Sequence, residues 1–187
     1  MKRSGILLAG LRTAAAAFLG TAWVPGTASE EQPLAHSRSE FSFLVRAAME
    51  VAAPLFGAEA ERGWGGPAWN PSFLHPRPAS DVRGAVFVVG NGSAKSTWVA
   101  TAQDFAGGHV QYVNLIDGAV ATLIDIRLSR SSAQETAVKV VYERTALSAE
   151  WNARVRELAE KDSASGPEWA SAIRNYLEAS RPSATTP

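Results

Sequence analysis

Residues 120–144 constrain this chain more than any others. Val120, Thr122, Ile124, Ile126 and Leu128 fall on one side of a period-two pattern, with Asp125 and Arg127 on the other. After a polar turn over residues 129–134 the alternation resumes: Thr136, Val138, Val140, Tyr142 and Arg144 share a side opposite Lys139 and Glu143. Successive strand side chains point to opposite faces, so these two runs predict a hairpin with one apolar and one polar face. A slip of one residue would turn every valine and isoleucine into water, so the pattern fixes register as well as conformation.

The same texture extends upstream. Residues 85–89, 97–101 and 110–116 read as strands, separated by Asn91-Gly92 and Gly107-Gly108, with Asp117-Gly118 leading into the hairpin above. Such dipeptides supply the positive φ that tight hairpin turns need. An earlier strand is expected where Phe41, Phe43 and Val45 alternate with Ser42, Leu44 and Arg46. Between it and the meander, a short helix from about residue 50 ends at Gly57, kept brief by Pro54, and residues 58–63 form another helical turn.

The C-terminal part is helical. Ser148 is expected to cap a helix carrying Trp151, Val155, Leu158 and Ala159 on one face. Residues 163–166 break it, and Ser165 with Glu168 forms a capping box for a helix over 167–179. There Trp169, Ala172, Ile173, Tyr176 and Leu177 make the apolar stripe. A curved sheet with one apolar face needs a cover, and this helix is the natural one.

The first 28 residues differ in kind. Lys2, Arg3 and Arg12 precede or interrupt an uncharged apolar run, no acidic residue occurs before Glu30, and Gly26 and Ala28 are small residues at a cleavage spacing. They read as a signal peptide, with a retained membrane anchor, which Arg12 disfavours, or a disordered start as the alternatives; cleavage makes the protein exported, periplasmic or secreted, with no stable membrane anchor. Residues 29–39 read as a flexible lead-in, 40–180 as the folded domain and 181–187 as a disordered tail. The whole chain balances 18 Lys+Arg against 18 Asp+Glu, so losing the leader leaves an acidic excess of three. That balance argues against nucleic acid as a partner. The absence of cysteine excludes disulfides, thiol catalysis and thiolate metal sites.

The order of elements resembles the helix-grip fold of the START-like, or SRPBCC, superfamily. The resemblance is carried by Glu61-Arg62-Gly63-Trp64, by Trp69-Asn70-Pro71-Ser72-Phe73-Leu74-His75-Pro76, and by the later segments Gly84-Ala85-Val86-Phe87, Thr97-Trp98-Val99 and 141–148. It runs from about Phe41 to Leu177. It implies an α+β helix-grip fold, a curved antiparallel sheet of about seven strands wrapped around a long C-terminal helix. It also implies a cavity between helix and sheet for a lipid, sterol, polyketide or other small hydrophobic molecule. No catalytic set is shared across the superfamily, so the catalytic residues stay unassigned and the resemblance brings no cofactor with it.

The residues themselves leave alternatives open. If the apolar side of the hairpin faces inward, so do Thr122, Tyr142 and Arg144, and Trp98 joins them because Thr97, Thr101 and Gln103 make its alternate face polar. Buried polar groups need partners, which can be a ligand or other side chains. Trp69 and His75 lie in the Trp/Pro segment, as pocket rim or as packing. Glu61 beside Arg62 is either a general acid with an electrostatic partner or a helix cap or salt-bridge member. His36, His75 and His109 show no metal-ligand spacing, and no metal site is expected. Trp98, Thr122, Tyr142, Arg144, Trp69 and His75 are therefore the candidate ligand-binding residues. The expected function is binding of a small hydrophobic molecule. The alternatives are a cyclase or dehydratase using Glu61, His75 or Tyr142 as acid or base, and a structural domain without ligand.

Overall fold

A computed structural model describes residues 32–90, 92 and 95–181; the predicted leader and nearly all of the tail lie outside the described residues. The chain runs β1 (His36–Val45), α1 (Met49–Ala52), 3-10 turns at Ala53–Phe56 and Ala60–Gly63, β2 (Ser72–His75) and β3 (Val86–Val89). It continues through β4 (Ser96–Asp104), β5 (His109–Ile116), β6 (Val120–Ser132) and β7 (Glu135–Ala146). A 3-10 turn, Ala149–Trp151, leads into α2 (Asn152–Ser163) and α3 (Gly166–Ala179). The strands form one antiparallel sheet in the order β1-β7-β6-β5-β4-β3-β2.

The alternation that predicts the central hairpin is realised in register. Thr122 faces Arg144, Ile124 faces Tyr142, Ile126 faces Val140 and Leu128 faces Val138. Ile126, Leu128, Val138 and Val140 are all buried on the inner face. Each such side chain is worth about 1.5–3 kcal/mol when removed from water, which is why one register wins.

α3 lies against this face as expected. Gly166 starts it hard against β1, where an added Cβ would stand 3.3 Å from the Ser42 carbonyl oxygen. Ile173 is buried, and the Trp169 ring meets Phe41 at 5.4 Å and Trp64 at 5.3 Å. α2 covers the other end of the sheet through Val155, packed with Val120 and Ala146.

Four details depart from the sequence reading. β1 begins at His36, inside the predicted lead-in. Ser37 and Ser39 hide the strand because their partners are polar groups of α2: Ser37 Oγ donates to the Val155 carbonyl at 3.4 Å and Ser39 Oγ to Asp162 at 3.4 Å. β2 is an edge strand of four residues inside the Trp/Pro segment, too short to show a period. The capping box does not form: Ser165 has helical φ −77° and ψ −13°, and its hydroxyl donates to the Lys161 carbonyl. Ser148 has the extended backbone of a cap, yet its side chain makes no capping bond. No helix among the described residues is long and apolar enough to cross a membrane.

Candidate functional site

A cavity of about 210 Å3 lies between the sheet and the covering elements. Strand parity supplies its floor: Ile124 and Ile126 from β6, Tyr112 from β5, Tyr142 from β7 and Trp98 from β4. Trp169 closes it from α3, and Glu61 and Trp69 from the segment between α1 and β2.

Most polar groups around the cavity are already bonded within the protein. Trp98 Nε1 donates to Ser96 Oγ at 2.8 Å, and Trp69 Nε1 donates to the Ala58 carbonyl at 2.9 Å. The Tyr112 hydroxyl donates to the Phe56 carbonyl at 3.0 Å and accepts from Gln103 Nε2 at 2.6 Å. Gln103 is placed on the outer face by simple alternation. A β-bulge between Ala100 and Ala102 reverses the parity and turns it inward.

Glu61 differs. Its turn is pinned by Asp81, whose carboxylate accepts from the backbone N–H of Glu59 at 2.8 Å and of Ala60 at 3.3 Å. Successive residues of a 3-10 turn point about 120° apart. Arg62 therefore faces away and donates to Glu59 at 3.0 Å, to Asn70 at 2.7 Å and to the Pro71 carbonyl. Neither Arg62 as electrostatic partner nor a cap or salt bridge holds for Glu61: among the described residues its carboxyl forms no hydrogen bond or ion pair. Glu61 is half-buried and is one of the cavity's lining residues. Burial, and secondarily the Asp81 carboxylate, push its pKa up to about 8, so the acid is largely neutral at pH 7. The Tyr142 hydroxyl also makes no hydrogen bond among the described residues, and burial raises its pKa.

No family model and no curated protein matches the sequence. Solved structures do match in shape. Norcoclaurine synthase from Thalictrum flavum, in complex with dopamine and hydroxybenzaldehyde, aligns with a TM-score of 0.56 at 12% identity, over 80% of this chain and 90% of that one. The Zhui aromatase/cyclase from Streptomyces sp. R1128 aligns with a TM-score of 0.58 at 14% identity, over 81% and 100%. This chain shares the helix-grip fold of these structures.

Within the helix grip, the candidate residues separate. Trp69, Trp98 and Tyr142 line the cavity. Thr122 and Arg144 share the inner face but are bonded elsewhere. Arg144 donates to both oxygens of Asp162 on α2, at 2.7 and 2.9 Å, and to Thr122 Oγ1 at 3.0 Å. His75 sits exposed on β2, away from the cavity. His109 belongs to the outer face, where Nε2 lies 2.6 Å from Asp125, and His36 Nδ1 lies 2.9 Å from Thr145 Oγ1. No group of three His, Asp or Glu among the described residues could hold a metal ion.

Tyr112 and Trp169 were not among the candidates. The register of β5 against β6, Tyr112 facing Ile124, was the missing signal for the first. Trp169 is hidden because a tryptophan on an apolar helix stripe looks like packing.

Proposed function

We propose that this is an exported helix-grip protein that binds a small apolar molecule of single-ring size in the cavity beneath α3. One observation carries the reading: about 210 Å3 enclosed by Trp69, Trp98, Trp169, Tyr112 and Tyr142, with the Glu61 carboxyl facing in. Apolar walls with a few convergent polar groups are what a small-molecule site requires. A dry cavity of about 150 Å3 takes one benzene, and drug-sized ligands use about 300–1,000 Å3. This volume therefore suits one substituted ring, while sterols, long-chain lipids and multi-ring polyketides need more space. The ligands named for norcoclaurine synthase, dopamine and hydroxybenzaldehyde, are of that size. Export rests on the charge and apolar pattern of residues 1–28.

The test is titration of the mature protein with simple benzene derivatives, followed by tryptophan fluorescence, since three indoles line the cavity. Saturable binding that Ile124→Phe or Ile126→Phe abolishes is expected. Binding unchanged by both substitutions, or no saturable change with any derivative, sinks the reading.

The position of Glu61 favours a second reading, in which the same cavity catalyses a reaction with Glu61 as general acid. An acid with a pKa of about 8 is protonated near neutrality and matched to proton donation. Turnover of a bound ligand that Glu61→Gln removes, with binding retained, would establish it.

A further inference from the structure

The cavity walls are chemically one-sided. Trp69 and Trp98 meet almost perpendicularly, at 88° with centroids 5.1 Å apart, and Trp98 meets Tyr112 at 75° and 6.1 Å. Perpendicular neighbours do not share a plane, so these walls offer ring faces as well as ring edges. Each face carries the negative lobe of a ring quadrupole, and tryptophan carries the strongest. The only carboxyl on the lining is Glu61, and no cation of the chain answers it among the described residues. Arg62 is spent on Glu59, Asn70 and Pro71, and Arg144, beyond Tyr142, is spent on Asp162. The Asp81 carboxylate, behind the turn, bears on Glu61 from the other side. Aromatic faces, a carboxyl and a negative background together are complementary to a positive charge, and a purely hydrocarbon ligand would leave that complementarity unused.

We infer that the molecule held in this cavity is an organic ammonium, caged by the faces of Trp69, Trp98 and Trp169 with Glu61 as its counter-ion. The inference rests on the reading that this cavity binds a single-ring molecule, and replaces its neutral apolar ligand by one that also carries a positive charge. A compact cation replaces its hydration shell by ring faces and one carboxylate, an exchange favourable only where water is excluded. Burial, and secondarily the Asp81 carboxylate, raise the Glu61 pKa, and a bound ammonium would oppose both. Binding then expels a proton from Glu61. The other groups facing Glu61 are the Asp81 carboxyl and the Tyr112 and Tyr142 hydroxyls, whose pKa values burial raises.

The experiment compares phenyltrimethylammonium with tert-butylbenzene, which share shape and differ in charge, and neither of which titrates. Affinities are read from tryptophan fluorescence at pH 6 and pH 9. At pH 9 the cation is expected to bind about tenfold or more tighter than its isostere. The advantage shrinks at pH 6 and is lost in Glu61→Gln. Equal or tighter binding of tert-butylbenzene to the native protein at pH 9 overturns the ammonium assignment and leaves the cavity reading standing. A cation preference that persists in Glu61→Gln overturns the role of Glu61. Binding of neither compound overturns both this inference and the reading beneath it.

Discussion

The guanidinium of Arg144 grips both carboxylate oxygens of Asp162, joining the end of β7 to the last turn of α2. The same guanidinium lies 4.7 Å from the centre of the Tyr142 ring, the next inward residue along β7. The pair therefore fixes a cavity wall without entering the cavity, and Thr122 Oγ1 accepts from Nη1. This is where the polar inner-face residues find their partners.

Replacing one partner of this pair is costly because the other stays where water cannot reach it. The side chains are only 14% and 10% exposed. Asp162→Ala is expected to destabilise by about 3 kcal/mol, lowering Tm by roughly 6–12 °C. Arg144→Met combined with Asp162→Leu should cost less than Asp162→Ala alone. Urea denaturation midpoints of the three proteins decide this, and a double variant weaker than the single contradicts it.

Glu61 gives stability a sign with pH. Its folded pKa, about 8, exceeds the ordinary carboxylate value of 4.5, so the folded state holds a proton that the unfolded state has released. Below 4.5 both states are protonated and the group is neutral in effect. Between 4.5 and 8 stability falls as pH rises, at up to about 1.4 kcal/mol per pH unit, and the loss levels off above 8. Glu61→Gln should therefore leave Tm at pH 4.5 nearly unchanged and raise it by several degrees at pH 8. Calorimetry at the two pH values checks the difference; equal shifts at both would contradict it.

Gly108 and Gly118 both have positive φ, +70° and +64°, yet they should not respond alike. A Cβ on Gly108 would stand 2.3 Å from the Leu128 carbonyl oxygen and 2.6 Å from Met49 Cε, whereas one on Gly118 would meet open space. Gly118→Ala should cost only the left-handed backbone penalty, about 1–2 kcal/mol. Gly108→Ala adds the clash and should cost clearly more. Guanidinium midpoints for the two variants measure the gap.

The sheet was legible wherever burial imposed strict alternation, as from Val120 to Arg144, because there each residue reports its own face. Parity put Trp98, Tyr142, Thr122 and Arg144 on the correct face but was silent about distance along the strand, which separates the first two from the last two. Asp162 was the readable clue: it lies seven residues after Val155, on the apolar side of α2, and a carboxylate there needs a buried cation. β2 was invisible because four residues between prolines show no period. Glu61 was visible as an acid beside tryptophans. Its isolation was not, because that depends on which way one turn of 3-10 helix rotates Arg62.

The first strand pairs with the last. His36 finds Thr145 and Phe41 finds Val140, so partners separated by 109 residues meet only when the sheet is complete. At synthesis rates of about 5–20 residues per second, β1 waits on the order of 5–20 s with Phe41 and Phe43 uncovered. Sheet closure is therefore a late event, and the first strand stays unpaired until β7 has been made.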